Sequence, residues 1–154
     1  MSKRINNARY TSGFLACFGL GIFMLSGCSS EQHSHLTPSV STEKHVYAPG
    51  EEIQIKFSNA PGHQYDWIAI YSDGVKPGSG IFTELFLFTD GTNPGGTSGI
   101  TDGTLMFGSA ADNPENTTVD WPLPEGDYDV YLFCCDDYGV LAGPAEFTVS
   151  SGAE

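Results

Sequence analysis

The chain has 154 residues, and 19 acidic against 6 basic side chains give it a formal net charge of −13 at pH 7. Such a surface repels nucleic acid and anionic headgroups, which leaves cations, basic proteins or neutral ligands as fitting partners. The length allows one domain with a sizeable core and little besides.

The N-terminus carries Lys3, Arg4 and Arg9 and no acid, and Phe14 to Leu25 is apolar throughout except for small residues. That is the order of a secretory signal: basic region, apolar region, small residues before a cleavage site. The apolar region is roughly twelve residues, whereas spanning about 30 Å of hydrocarbon takes about twenty, so a permanent transmembrane helix is not expected. The apolar run closes on Leu25-Ser26-Gly27-Cys28, which resembles the lipobox of bacterial lipoprotein signal peptides. The resemblance implies a thioether-linked diacylglycerol on Cys28, cleavage of the Gly27–Cys28 bond and acylation of the new amino group. Ordinary cleavage that leaves Cys28 unmodified is the plainer alternative. Ser29 stands where an Asp would favour retention in the inner membrane of a Gram-negative cell, so in such a host the implied address is the outer membrane. Loss of residues 1–27 moves the net charge to −16, because the 19 acids then face only Lys44, Lys56 and Lys76. Residues 28–42 comprise the candidate lipidated Cys and a polar, aperiodic stretch that reads as a flexible tether.

From 43 to 150 short apolar runs alternate with turn signals: Ala48-Pro49-Gly50, Ala60-Pro61-Gly62, Lys76-Pro77-Gly78, Asn93-Pro94-Gly95 and Asp102-Gly103. Proline fixes φ at the first corner of a turn and glycine supplies the positive φ of the second. No stretch keeps a 3.6-residue period, and the pattern predicts an all-β, immunoglobulin-like antiparallel sandwich of about seven or eight strands, followed by a tail at 151–154. The clearest strand is Glu51 to Ser58, where Ile53, Ile55 and Phe57 alternate with polar residues. Further strands are predicted at Asp66 to Tyr71, Ile81 to Phe88, Gly103 to Phe107, Thr117 to Trp121, Asp127 to Cys135 and Ala145 to Ser150. Asp90 to Thr101 holds four glycines and a proline and reads as a mobile loop. Leu123-Pro124-Glu125-Gly126-Asp127-Tyr128 has the form of a tyrosine corner. With Tyr128 inward, period 2 places Val130, Leu132 and Cys134 inward and Asp129, Tyr131, Phe133 and Cys135 outward.

The motifs Tyr47-Ala48-Pro49-Gly50-Glu51, Asp66-Trp67-Ile68-Ala69-Ile70-Tyr71, Gly126-Asp127-Tyr128 and Asp136-Asp137-Tyr138-Gly139-Val140-Leu141-Ala142 together resemble a family of immunoglobulin-like β-sandwich modules. Similar modules occur in bacterial secreted proteins, some beside phosphoesterase domains, and the SKICH domains of eukaryotic adaptors look related. The resemblance covers roughly residues 46 to 149 and implies a non-catalytic module. Gly139 and the Cys pair depart from the pattern.

Three candidate sites follow. The acidic end of the sandwich brings Asp66 toward Asp136 and Asp137, a set of oxygens that suits calcium; the alternative is that these aspartates only cap turns. Calcium is the one cofactor the sequence suggests. On the outer sheet face Trp67, Tyr71, Tyr131 and Phe133 form an apolar patch suited to a protein or carbohydrate partner. Trp67 equally fits the core tryptophan of an immunoglobulin-like domain, with the 89–103 loop over the rest. Cys134 and Cys135 are either a vicinal disulfide or a buried residue followed by a free thiol; adjacent Cα atoms sit nearer than most disulfides prefer. No nucleophile–base spacing of an enzyme is present. The sequence thus reads as a binding module tied to a membrane by lipid. The alternatives are a structural envelope protein within an assembly and, less well supported, a carboxylate-based hydrolase.

Overall fold

The computed structural model describes residues 36–93, 95–111 and 120–152. The expected leader, Cys28 and most of the tether lie outside these residues, as does the greater part of the strand predicted at Thr117 to Trp121. Among the described residues no helix is long and apolar enough to cross a membrane.

Among the described residues eight strands form two sheets: β1 (Ser39–Thr42), β2 (Val46–Tyr47), β3 (Ile53–Ser58), β4 (Trp67–Ser72), β5 (Leu85–Phe88), β6 (Gly103–Phe107), β7 (Gly126–Phe133) and β8 (Val140–Val149). One sheet runs β1-β3-β6 and the other β2-β8-β7-β4-β5. The chain is all-β, as expected. The pairings β1-β3-β6 and β8-β7-β4 match strands A, B, E and G, F, C of an immunoglobulin-type sandwich. Every ladder is antiparallel except β2 with β8, a two-residue parallel pair.

Alternation decides which side chains meet between the sheets. Ile53, Ile55 and Phe57 of β3 sit opposite Phe107, Leu105 and Gly103 of β6, and all five apolar side chains are buried in the inter-sheet core. From the other sheet the same core receives Ile68, Ile70, Leu85, Leu87, Val130, Leu132, Phe147 and Val149. The tyrosine corner is present: the Tyr128 hydroxyl donates to the Pro124 carbonyl at 2.8 Å, and the ring stacks on Phe147 at 5.4 Å. Tyr128→Phe is expected to cost about 1–2 kcal/mol, since it strips the Pro124 oxygen of its donor without opening a cavity. Urea unfolding that puts the variant within error of the wild type would contradict this.

The larger departures from the predicted strands have local reasons. Ser39–Thr42, placed in the tether, is the edge strand β1, with half of its positions exposed and therefore no apolar signature. Residues 81–84 do not extend β5: Thr83 makes only an isolated bridge, and its hydroxyl donates to the Ile70 and Leu85 carbonyls. Strand β8 begins at Val140, five residues before the predicted start. Gly143-Pro144 is absorbed as a register irregularity opposite Val130 to Leu132, with Gly143 at φ 114°. Strand β7 ends at Phe133 because Cys135 and Asp136 take left-handed φ values of 65° and 59°, which no strand accommodates. Asp120 and Trp121, the described part of the predicted 117–121 strand, are not in a sheet.

Candidate functional site

Strand β4 is buried on both faces. Ile68 and Ile70 face the inter-sheet core, whereas Trp67, Ala69 and Tyr71 belong to a second apolar cluster with Phe88 and Phe133 on the outer side of the sheet. Trp67 is therefore not the tryptophan of the main core. It stacks on Phe133 at 4.3 Å, as their direct pairing across β4 and β7 allows, and Tyr71 packs edge-on against Phe133 and Tyr131. The four residues of the expected patch do come together. Their exposure does not follow: Trp67 is 8 % exposed, Tyr71 and Phe133 are fully buried, and Tyr131 is half-buried.

What remains open to solvent is a cleft above this cluster, with a volume of about 450 Å³. Trp67 forms part of its lining; Phe86 and Tyr138 stand at 83° to the indole, with ring centroids 6.0 and 5.6 Å away. Phe82, 56 % exposed, Tyr138, 48 % exposed, and Tyr65 form its accessible rings, and Asp136 is the one acidic group among the described lining residues. Phe82 and Phe86 come from the segment around β5, Tyr65 from the turn before β4 and Tyr138 from the turn after β7. Of these only Tyr138 lay in a motif that the sequence reading used. Perpendicular aromatic walls with a single carboxylate make a site for a ligand with an apolar face and a polar edge.

The cleft also touches the loop after β5, through Gly95. Asp90 organises that loop. Its Oδ1 accepts from the Thr92 amide and hydroxyl at 3.1 and 2.6 Å, and its Oδ2 from the Thr97 amide and hydroxyl and the Ser98 amide at 2.6, 2.7 and 2.9 Å. Burial pushes the Asp90 carboxyl up, but these donors outweigh it and hold the group well below the usual carboxylate range. A loop whose composition reads as mobile thus has a built-in anchor.

At the acidic end the three aspartates differ in burial and in what their side chains bond. Asp66 is fully buried: its Oδ2 accepts from the His63 amide at 2.8 Å, and its own amide donates to the His63 carbonyl at 2.9 Å. Asp136 and Asp137 are exposed, and Asp137 Oδ1 accepts from the Tyr138 amide at 2.7 Å. The capping role is the one the geometry supports. The grouping of potential ligand atoms that does form here, within 4.8 Å of one another, is His63, Asp66 and Cys135, without Asp136 or Asp137. The calcium trio is not assembled. Cys134 and Cys135 are joined in a disulfide, with Cα atoms 3.7 Å apart.

A second, polar groove on the same sheet gathers His45, Asp73, Asp127, Asp129 and Glu146. Burial, then the neighbouring Asp73 and Glu146 charges, raise the Asp129 carboxyl above the usual range, and hydrogen bonds from the Gly74 amide and the Tyr131 hydroxyl only partly oppose this. A carboxyl raised in the folded state favours folding fully below its unfolded value, and that contribution disappears as pH rises through the folded value. Asp129 therefore opposes folding at neutral pH. Asp129→Asn keeps an acceptor for Gly74 and is expected to raise the melting midpoint at pH 7, with the gain vanishing near and below about pH 4. A variant less stable than wild type at pH 7 would overturn this assignment.

No protein-family model, curated protein or solved structure matches the chain.

Proposed function

We propose that this protein is a lipid-anchored, extracytoplasmic binding module without catalytic activity, tied to the envelope through Cys28 and engaging its ligand in the aromatic cleft. The supporting observation is the cleft itself: accessible rings of Phe82, Tyr138 and Tyr65 converge over Trp67, with Asp136 at hand. Its volume lies within the range of small-ligand sites and suits a sugar ring or an apolar side chain of a protein partner. The carboxylates beside it favour binding over hydrolysis, since Asp66 and Asp137 are engaged in capping turns. The acidity of the domain argues against direct contact with anionic headgroups, a surface on which Lys44 and Lys56 are already paired with Glu51 and Glu43. Lipid on Cys28 then supplies the membrane affinity, and Ser29 favours the outer membrane in a Gram-negative host.

Because Trp67 and Phe133 are buried, the informative substitutions are at the exposed rings. Phe82→Ser with Tyr138→Ser is expected to leave the melting midpoint nearly unchanged and to weaken capture of the native ligand from solubilised envelope by at least about tenfold, the effect of truncating aromatic hot-spot residues. Undiminished capture by the folded double variant would exclude the cleft as the binding site.

A further inference from the structure

Beside the aromatic cleft, the turn that follows β7 lies over the turn that precedes β4. His63, Asp66 and Cys135 bring potential ligand atoms within 4.8 Å of one another there. Asp66 is fully buried, and while its Oδ2 caps the His63 amide, its Oδ1 has no hydrogen-bond partner among the described residues. A buried carboxylate oxygen left without a donor is costly, and a cation taking it up relieves that cost.

Two backbone bonds fix the turn that carries Cys135: the Asp136 amide donates to the Tyr65 carbonyl, beside Asp66, and the Asp137 amide to the Cys134 carbonyl, each at 3.0 Å. Neither depends on the bond between the sulfurs. Reduction of the Cys134–Cys135 disulfide therefore leaves Cys135 in place, one residue from an anchored amide. His63 is exposed, and its Nδ1 accepts from the Tyr65 amide at 3.2 Å, a long bond that ligation gives up at little cost.

We propose that reduction of the Cys134–Cys135 disulfide opens a site for a borderline-soft divalent cation, Zn²⁺ foremost, with the Cys135 thiolate, Asp66 Oδ1 and the His63 imidazole as its protein ligands. One sulfur, one oxygen and one nitrogen donor form a set that zinc accepts and that calcium, which takes six to eight oxygens, does not. Reduction runs by thiol–disulfide exchange with a dithiol: its thiolate attacks one protein sulfur and its second thiol resolves the mixed disulfide. The protein pair gains two electrons and two protons, and the dithiol leaves as its own disulfide. Cys135 then releases its proton to solvent as the metal binds. In the oxidised state the sulfur carries no charge, and two remaining ligands make a poor site. Three protein ligands leave a fourth position for water or a ligand group. Tyr65 and Asp136, chain neighbours of two of the ligands, line the cleft, so the metal state of this turn would bear on the cleft's rim.

The test uses the intact chain in detergent, with Co²⁺ as the spectroscopic probe and a phosphine as a reductant that offers no thiol of its own. The reduced protein is expected to bind one equivalent with a thiolate-to-cobalt charge-transfer band that Zn²⁺ displaces, whereas the unreduced protein shows none. Cys135→Ser should abolish the band. Cys134→Ser, which leaves Cys135 permanently free, should give it without reductant. Asp66→Asn, which retains an acceptor for the His63 amide, and His63→Gln, at an exposed position, should each weaken binding at least tenfold, with metal-free melting as the control for folding. Unchanged affinity in a folded Asp66→Asn or His63→Gln variant, equal binding before and after reduction, or no band at all would overturn the proposal.

Discussion

Asp90→Ala is expected to destabilise the domain by on the order of 3 kcal/mol, because it removes five hydrogen bonds to one carboxylate, and bonds to charged groups are the stronger kind. For a domain of this size that corresponds to a drop in melting midpoint of roughly 10 °C or more. The loop it holds also packs its backbone onto residues 62–64. A Cβ at Gly96 would lie 1.7 Å from the Gln64 carbonyl oxygen, and one at Gly99 1.8 Å from that of Gly62, so only glycine permits the approach. Without Asp90 that packing loses its organiser, and Gly95 on the cleft loses its support. The pH dependence carries a sign of its own. A carboxyl depressed in the folded state contributes stability that is full above its unfolded value and lost as pH falls through the folded value. The gap between wild type and variant should thus be complete at pH 7 and narrow below about pH 4. A variant within about 0.5 kcal/mol of wild type at pH 7 would show that the loop is held by something else.

The second large effect concerns the anchor and is expected to be all or none. Cys28→Ser removes the sulfur that the proposed lipid requires, and with it every acyl chain; each buried methylene contributes about 0.8 kcal/mol to membrane affinity, and two or three chains hold a protein stably where one does not. The remaining domain is strongly acidic and gains nothing from anionic headgroups. Detergent phase partitioning with fatty-acid labelling should move the protein from a labelled, detergent-phase species to an unlabelled, aqueous one. A serine variant that stays in the detergent phase would mean that another segment provides the attachment.

Much of the sandwich was legible because its signals are local. Ile53, Ile55 and Phe57 alternate with polar neighbours, and that alternation is the physical requirement of a strand with one wet face. The tyrosine corner was legible because proline, glycine and tyrosine occur at fixed spacing within one turn. The two apolar faces of β4 were visible as an unbroken apolar run, although which of them held the main core was not, since alternation alone does not label the sides. Strand β1 escaped because an edge strand of Ser, Val and Thr has no apolar period. The start of β8 at Val140 lay outside the predicted 145–150 strand, because Gly143-Pro144 sits at an irregularity of the ladder that carries no alternation.

The candidate site was less legible, for a topological reason. Its rim residues Tyr65, Phe82 and Tyr138 come from three separate segments that only the order of β5, β4 and β7 brings together. The aspartates were placed at the right end of the sandwich, but whether a carboxylate turns inward to cap an amide or outward to a ligand depends on backbone angles, such as the left-handed Asp136, that residue identity does not announce. The Asp90 network hid for the same reason: side chain to backbone bonds in a Gly- and Thr-rich loop leave no periodicity to read.

In the proposed function the aromatic cleft, and not another face of the sandwich, meets the ligand. A photoreactive phenylalanine analogue at position 82, in living cells, tests it directly against the same analogue at Met106, which is exposed on β6 in the opposite sheet. The expected result is a discrete crosslinked species from position 82, lost when Tyr138→Ser is added, and none from position 106. Equal crosslinking from both positions, or a product from position 106 alone, would contradict the account.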